Sequence, residues 1–284
     1  MVDISHERAA FSQLALKSQQ IIEDVQSRAD NRMIPINLVG VNDIKYPIRV
    51  IDREATTQHT VANLSMSVDL PHDVKGTHMS RFIEILNTHD DELSIHTLPD
   101  ILATIREKLG ASTARIEADF PFFLKRTAPV SGAKSMMGYH CSISGESGPV
   151  KEEYVLTVRV PVTSLCPCSK EISDYGAHNQ HGFLTITGRS QASSTGLQRL
   201  YVEDFIDVAE QSASSPVYPL LKRPDERYVT MQAYANPVFV EDMIREVATK
   251  LKQDDRLAWF SVHAENQESI HNHNEFAQIE WARA

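Results

Sequence analysis

HTVANLSMSVDL, residues 59–70, places Leu64, Met66, Val68 and Leu70 at every second position, with Val61 a further apolar residue ahead of them. Successive side chains of a strand point to opposite faces, so this alternation predicts a strand with one buried face. The run before it, residues 36–51, is also strand-like. Two helical segments come next: SRFIEILNTH (80–89), with Ser80 as the expected N-cap, and a second from Leu98–Pro99 to Leu109, stopped by Gly110. Strand-like runs return at 112–126 and 135–144.

The same order then recurs. EYVLTVRVPV (153–162) and GFLTITGRS (182–190) read as strands, 202–212 and 237–252 as helices, and 256–264 and 275–282 as closing strands. Asn236 and Pro237 are expected to cap and open the second of these helices. Strand-strand-helix-helix-strand-strand twice over, without residue identity between the halves, predicts an α+β protein of antiparallel sheets with helices on one face. The expected boundaries are an N-terminal helical extension at 1–33, with its helix over 6–27, a first module at 34–146 and a second at 147–284. Open sheet edges on such modules call for partners.

Composition narrows the function. The net charge of −10 argues against general nucleic-acid binding. The N-terminal residues mix charges with apolar side chains, unlike a secretory signal, and no run reaches the ~18 apolar residues of a membrane span. Three cysteines, Cys141, Cys166 and Cys168, suit a reducing compartment, so a cytoplasmic location with no membrane partner is expected. P-loop and dinucleotide-binding glycine motifs are absent.

The densest chemistry is PVTSLCPCSKEISDYGAHNQHG, residues 161–182. Two cysteines flank Pro167 directly after a strand, and His178 follows Cys166 by twelve residues, a loop long enough to fold back on one ion. Thiolate and imidazole are preferred zinc ligands, and the absence of a second cysteine pair argues against a closed four-ligand structural site. An open ligand set with a position for water is the catalytic pattern. The plain alternative is two small buried thiols beside a hydrogen-bonded loop histidine. HAENQESIHNHN (263–274) gathers Glu265, Glu268, His271 and His273, residue types suited to acid–base work near neutral pH, or simply to a polar hairpin turn. LLKRPDERYVT (220–230) offers cations for phosphates and Asp225 or Glu226 for a metal, and otherwise reads as a charged surface loop. In NPVFVEDMIREV (236–247), Glu241 and Asp242 are also explained as first-turn acids favoured by the helix dipole.

Taken in order, GTHMSRFIEILN, PVTSLCPCSKEISDYGAHNQHG, LLKRPDERYVT and ENQESIHNH resemble GTP cyclohydrolase type IB over residues 24–284. The resemblance implies the tunnelling fold, two ββααββ modules per chain assembling into barrels, and a homotetramer with active sites at subunit interfaces. It implies conversion of GTP and water to 7,8-dihydroneopterin triphosphate and formate, the entry to tetrahydrofolate synthesis, using a divalent metal (Zn²⁺, Mn²⁺ or Fe²⁺). Carried onto this chain, Cys166, His178 and Glu226 correspond to the metal ligands and Glu241 to the acid that anchors guanine. Glu268, His271 and Cys168 correspond to the catalytic groups. Two rivals stand beside it: a tunnelling-fold nitrile reductase, with a nucleophilic cysteine, NADPH and no metal, and a non-catalytic metal- or purine-binding module.

Overall fold

The computed structural model describes residues 24–89, 92–193 and 196–283. In chain order its elements are β1 (Ile36–Ile51), β2 (Thr57–Leu70), α1 (Met79–Leu86), α2 (Leu98–Leu109), β3 (Ala114–Thr127) and β4 (Lys134–Ser147). There follow β5 (Glu152–Leu165), α3 (Pro167–Ile172), β6 (Asn179–Ser190), the two-residue strands β7 (Ala192–Ser193) and β8 (Gly196–Leu197), and α4 (Val202–Glu210). The two-residue β9 (Ser215–Pro216), α5 (Arg223–Ala235), α6 (Val240–Lys252), β10 (Leu257–Gln267) and β11 (Glu275–Ala282) complete the set. The long strands form one antiparallel sheet in the order β1-β2-β3-β4-β5-β6-β10-β11, with β9 on β5 and β7 paired to β8.

The sheet register explains the two faces. One row runs Leu64, Ala118, Ile143, Leu156, Gly188 and Phe260 across β2 to β10, and every member is buried. The helices cover this face, and Gly188 has no side chain because Phe205 of α4 needs the space: a Cβ there would lie 2.5 Å from the Phe205 ring. The next row, on the other face, is Lys45, Asn63, Asp119, Ser142, Thr157, Thr187, Ser261 and Glu280. It is polar in every strand, and Thr157 and Thr187 hydrogen-bond across it at 3.1 Å. An α+β antiparallel sheet with an apolar helix-covered face is therefore the architecture. Val61, out of phase with Leu64 to Leu70, is 54% exposed on the polar side.

Several local expectations change. Of the helix expected over 6–27, only 24–27 lie among the described residues, and these form a turn in which the Asp24 carboxylate accepts from Ser27 N and Oγ. His78, not Ser80, stands at the N-cap of α1. Asn236 ends α5, donating from Nδ2 to Ala213 O, and α6 begins only at Val240. Residues 223–235, part of which reads as a charged loop, are helical. The helix buries only Asp225 and Ala233, so it carries no apolar period to reveal it. Gly110 does end α2 in the left-handed conformation, φ 64°.

Three polar ties brace α4 and α5 against the first half of the chain. Arg53 donates to Asp207 Oδ2 at 2.8 Å and, through its backbone, to Glu203 Oε1. Arg126 pairs with Glu210, which also accepts from Tyr139 OH. The buried Asp225 carboxylate accepts from Val130 N, Ser131 N, Ser131 Oγ and Lys222 N at 2.6–2.8 Å, pinning the β3–β4 turn to the start of α5. Burial would raise its pKa, but these four donors hold it well below the usual carboxylate range. Asp225→Asn turns an N–H group towards N–H donors and should lower Tm by roughly 4–8 °C at neutral pH. The gap to the parent should narrow once pH falls below ~3.9, where protonation begins to remove the carboxylate's advantage over the unfolded chain. Parallel denaturation curves between pH 7 and pH 3 check both statements.

Candidate active site

β5 and β6 form a hairpin whose last pair is Leu165 with Asn179. The loop between them folds back, as its twelve-residue spacing predicts: Cys166 N donates to His178 O at 3.2 Å. Inside the loop, Pro167 opens the short helix α3, since its fixed φ and missing N–H suit a first helical position. Cys166 caps that helix, its Sγ accepting from Ser169 N at 3.4 Å. Ser169 Oγ in turn donates to Cys166 O and accepts from His178 N, each at 3.2 Å. One serine thus staples the backbones that carry Cys166 and His178 to each other.

Against this loop comes the β10–β11 turn. The Glu268 side chain is only 2% exposed, and its Oε1 lies 3.4 Å from His178 Nδ1. His178 Nδ1 also meets Ser269 Oγ at 3.1 Å. His271 Nε2 stands 3.9 Å from Glu268 Oε2. Glu268 Oε1 further accepts from Gln180 Nε2 at 2.6 Å and Ser269 N at 3.0 Å. Burial would raise the Glu268 pKa, but the Gln180 amide, the Ser269 N–H and the two histidines outweigh it and hold the carboxyl below its ordinary value.

Cys166, Cys168, His178, Glu268 and His271 line one cavity of about 270 Å³, with Phe239 as part of its apolar wall. A larger cavity of about 680 Å³ lies at the opposite end of β5, bounded by Glu152, Tyr154 and Arg189. It contains no thiol and none of these groups, so chemistry and not size singles out the smaller one. Glu241 is placed next door, in the first turn of α6, where it shares a shallow depression with Phe239, Asp242 and Arg245. Ser164 Oγ donates to Val238 O and Val238 N to Leu165 O, so the lead-in to α6 is tied to the strand that ends at Cys166.

The remaining predicted residue stands apart. Glu226 is exposed in the first turn of α5 and is not among the cavity's lining residues. The reason is where α5 is anchored: Lys170 of α3 donates to Tyr234 O near its C-terminal end, eight residues or ~12 Å of helix beyond Glu226. Among the described residues no three His, Cys, Asp or Glu side chains are gathered closely enough to hold an ion. The donors present nevertheless suit a divalent metal. Cys166 offers a soft sulfur donor at the cavity wall, and His178 has Nδ1 engaged, which leaves Nε2 for a ligand bond. Gln180, Asn266, Ser169 and Ser269 were not singled out by sequence. Gln180 is the second residue of β6, a strand that the sequence reading opens only at 182, so no signal marks it.

Residues 22–277 match the family described as type I GTP cyclohydrolase FolE2. The GTP cyclohydrolase FolE2 of Geobacter sp. (strain M21) is 52% identical over 262 residues, covering 92% of this chain and 96% of that protein. That of Nitrosococcus oceani is 52% identical over 259 residues, covering 91% and 95%. Among solved structures, uricase from Arthrobacter globiformis, a tunnelling-fold protein, superimposes with a TM-score of 0.55 at 8% identity, over 87% of this chain and 93% of that one. Urate oxidase from Bacillus sp. TB-90 gives 0.52 at 10% identity over 87% and 100%, and both likenesses concern the fold alone. On the match over nearly its whole length and on half-identity to these relatives, the chain belongs to the type I GTP cyclohydrolase FolE2 family.

Proposed function

We propose that this cavity performs the type IB GTP cyclohydrolase I reaction: GTP and water become 7,8-dihydroneopterin triphosphate and formate. The observation that carries the reading is the thiol–imidazole pair Cys166/His178 set beside the acid–base pair Glu268/His271 in one cavity of a FolE2-family chain. A divalent cation, Zn²⁺, Mn²⁺ or Fe²⁺, supplies the Lewis acidity that lets water act as a nucleophile at neutral pH. Cys166 and His178 would hold it, with Glu226 as the proposed third ligand. Because Glu226 lies outside the cavity lining, its carboxylate has to be brought there.

Release of C8 as formate requires protons at the purine nitrogens as the imidazole ring opens. Glu268 and His271 stand together where they can move such protons, and Cys168 adds a second thiol to the same wall. Among the described residues the Glu241 carboxylate has no hydrogen-bonding partner, whereas its neighbour Asp242 is engaged by Arg245 at 2.8 Å. A carboxylate so placed can accept from N1–H and the 2-amino group of guanine together, a pairing adenine cannot make. We further infer a homotetramer in the cytoplasm, built from two ββααββ modules per chain (34–146 and 147–284) closed into barrels. Supporting this are the open ends β1 and β11 of the described sheet, which barrel closure would pair. No helix among the described residues is long and apolar enough to cross a membrane.

Metal-free protein supplied with GTP and Mn²⁺ or Zn²⁺ should release formate and, after oxidation, fluorescent neopterin; a chelator should abolish both. Turnover unaffected by chelation would overturn the metal-dependent reading. Cys166→Ala should lose bound metal and activity together, read by elemental analysis beside the assay. Glu241→Gln should keep its metal but lose roughly 100-fold in kcat/KM for GTP, since one of two acceptors becomes a donor.

A further inference from the structure

The interior of the β6–β10 pair holds two amide side chains to which the reaction as derived above assigns no part. Gln180 is 5% exposed and Asn266 1% exposed. Asn266 Nδ2 donates to Gln180 Oε1 at 3.3 Å, and Gln180 Nε2 donates to Glu268 Oε1 at 2.6 Å. Space for this chain is built into the strand opposite: Gly182 faces Asn266 in the ladder, and a Cβ there would fall 2.6 Å from Asn266 Oδ1.

We propose that Asn266 and Gln180 form an amide relay that positions Glu268 so that only its Oε2 is free for proton transfer. The direction of the relay follows from donor and acceptor chemistry. With Gln180 Oε1 taken by an N–H of Asn266, its NH₂ end must point at Glu268. Glu268 Oε1 then accepts from Gln180 Nε2 and Ser269 N and lies against His178 Nδ1, so it is saturated. Oε2 has no such anchor; it faces His271 Nε2 at 3.9 Å on the cavity side. One carboxylate oxygen is therefore a hinge pin and the other a working atom. Gln180 reaches the cavity wall, but its amide is spent on Asn266 and Glu268, so both amides act as positioning residues through Glu268. This rests on the reaction proposed above.

The test uses the full-length, metal-loaded protein and two near-isosteric variants. Gln180→Met removes the amide while keeping its length. Asn266→Asp presents an acceptor to Gln180, so the Gln180 amide turns over and sets its own oxygen against Glu268 Oε1. Formate release gives kcat and KM, and elemental analysis gives metal content. In both variants kcat should fall about 10- to 100-fold, the cost expected of a misplaced acid–base group. Metal stoichiometry and KM for GTP should stay within about twofold. A parent-like kcat in either folded, metal-replete variant would overturn the relay. So would loss of metal in step with activity, which would make the amides supports of the ligands. Failure of both variants to fold would also count against it, since orienting one carboxylate is not a requirement for folding. Absence of turnover in the parent protein would instead remove the proposed reaction itself, so the two failures are distinguishable.

Discussion

The thiols, imidazoles and buried carboxylate of the candidate cavity hang from the register of three strands, β5, β6 and β10. Leu165 opposite Asn179 closes the hairpin whose loop carries Cys166 and His178, and His181 opposite Gln267 brings the β10–β11 turn to the same end of the sheet. A strand's side chains alternate, so a slip of one residue in either pairing would send Gln180 or Asn266 to the polar face and dissolve the contact with Glu268. That register is held by burial. Val160, Val162, Leu184, Ile186, Val262 and Ala264 are all fully buried on the helix-covered face, and a slip would expose them together. The apolar core and the site are consequently one constraint seen from two directions.

The same alternation is why most of the sheet was legible in the sequence. Leu64, Met66, Val68 and Leu70 show period two because one face is buried and the other is polar. The long helices α2 and α6 were legible for the corresponding reason, each burying a stripe such as Met243, Ile244, Val247 and Leu251. Illegibility has a physical cause too. α5 exposes Tyr228, Met231 and Tyr234 and buries a charge, Asp225, so its pattern imitates a loop. Asn236 looked like a start signal for α6 because an Asn-Pro pair suits a helix opening; here the asparagine ends the previous helix instead. α3 is six residues long, shorter than any periodicity can register.

At the site, the sequence singles out residue types suited to chemistry but not the residues that hold them in place. Cys166, His178, Glu268 and His271 announce themselves by type. Ser169, Ser269, Gln180 and Asn266 are common polar residues whose role exists only once two distant segments meet: Gln180 and Glu268 are 88 positions apart and 2.6 Å apart.

The arrangement divides into a fixed part and a tethered part. Cys166 and His178 are locked by backbone pairing and by Ser169, a short-range mesh that leaves little freedom in the loop. Glu226 belongs to α5, which is held at its start by Asp225 on the β3–β4 turn and near its end by Lys170 on α3. A helix tied at both ends moves as a rod, so the position of Glu226 is set by the first half of the chain through Asp225, the residue beside it. The exposed carboxylate is thereby subordinate to a buried one. Residues 128–133 thereby help set where Glu226 stands, outside the cavity lining.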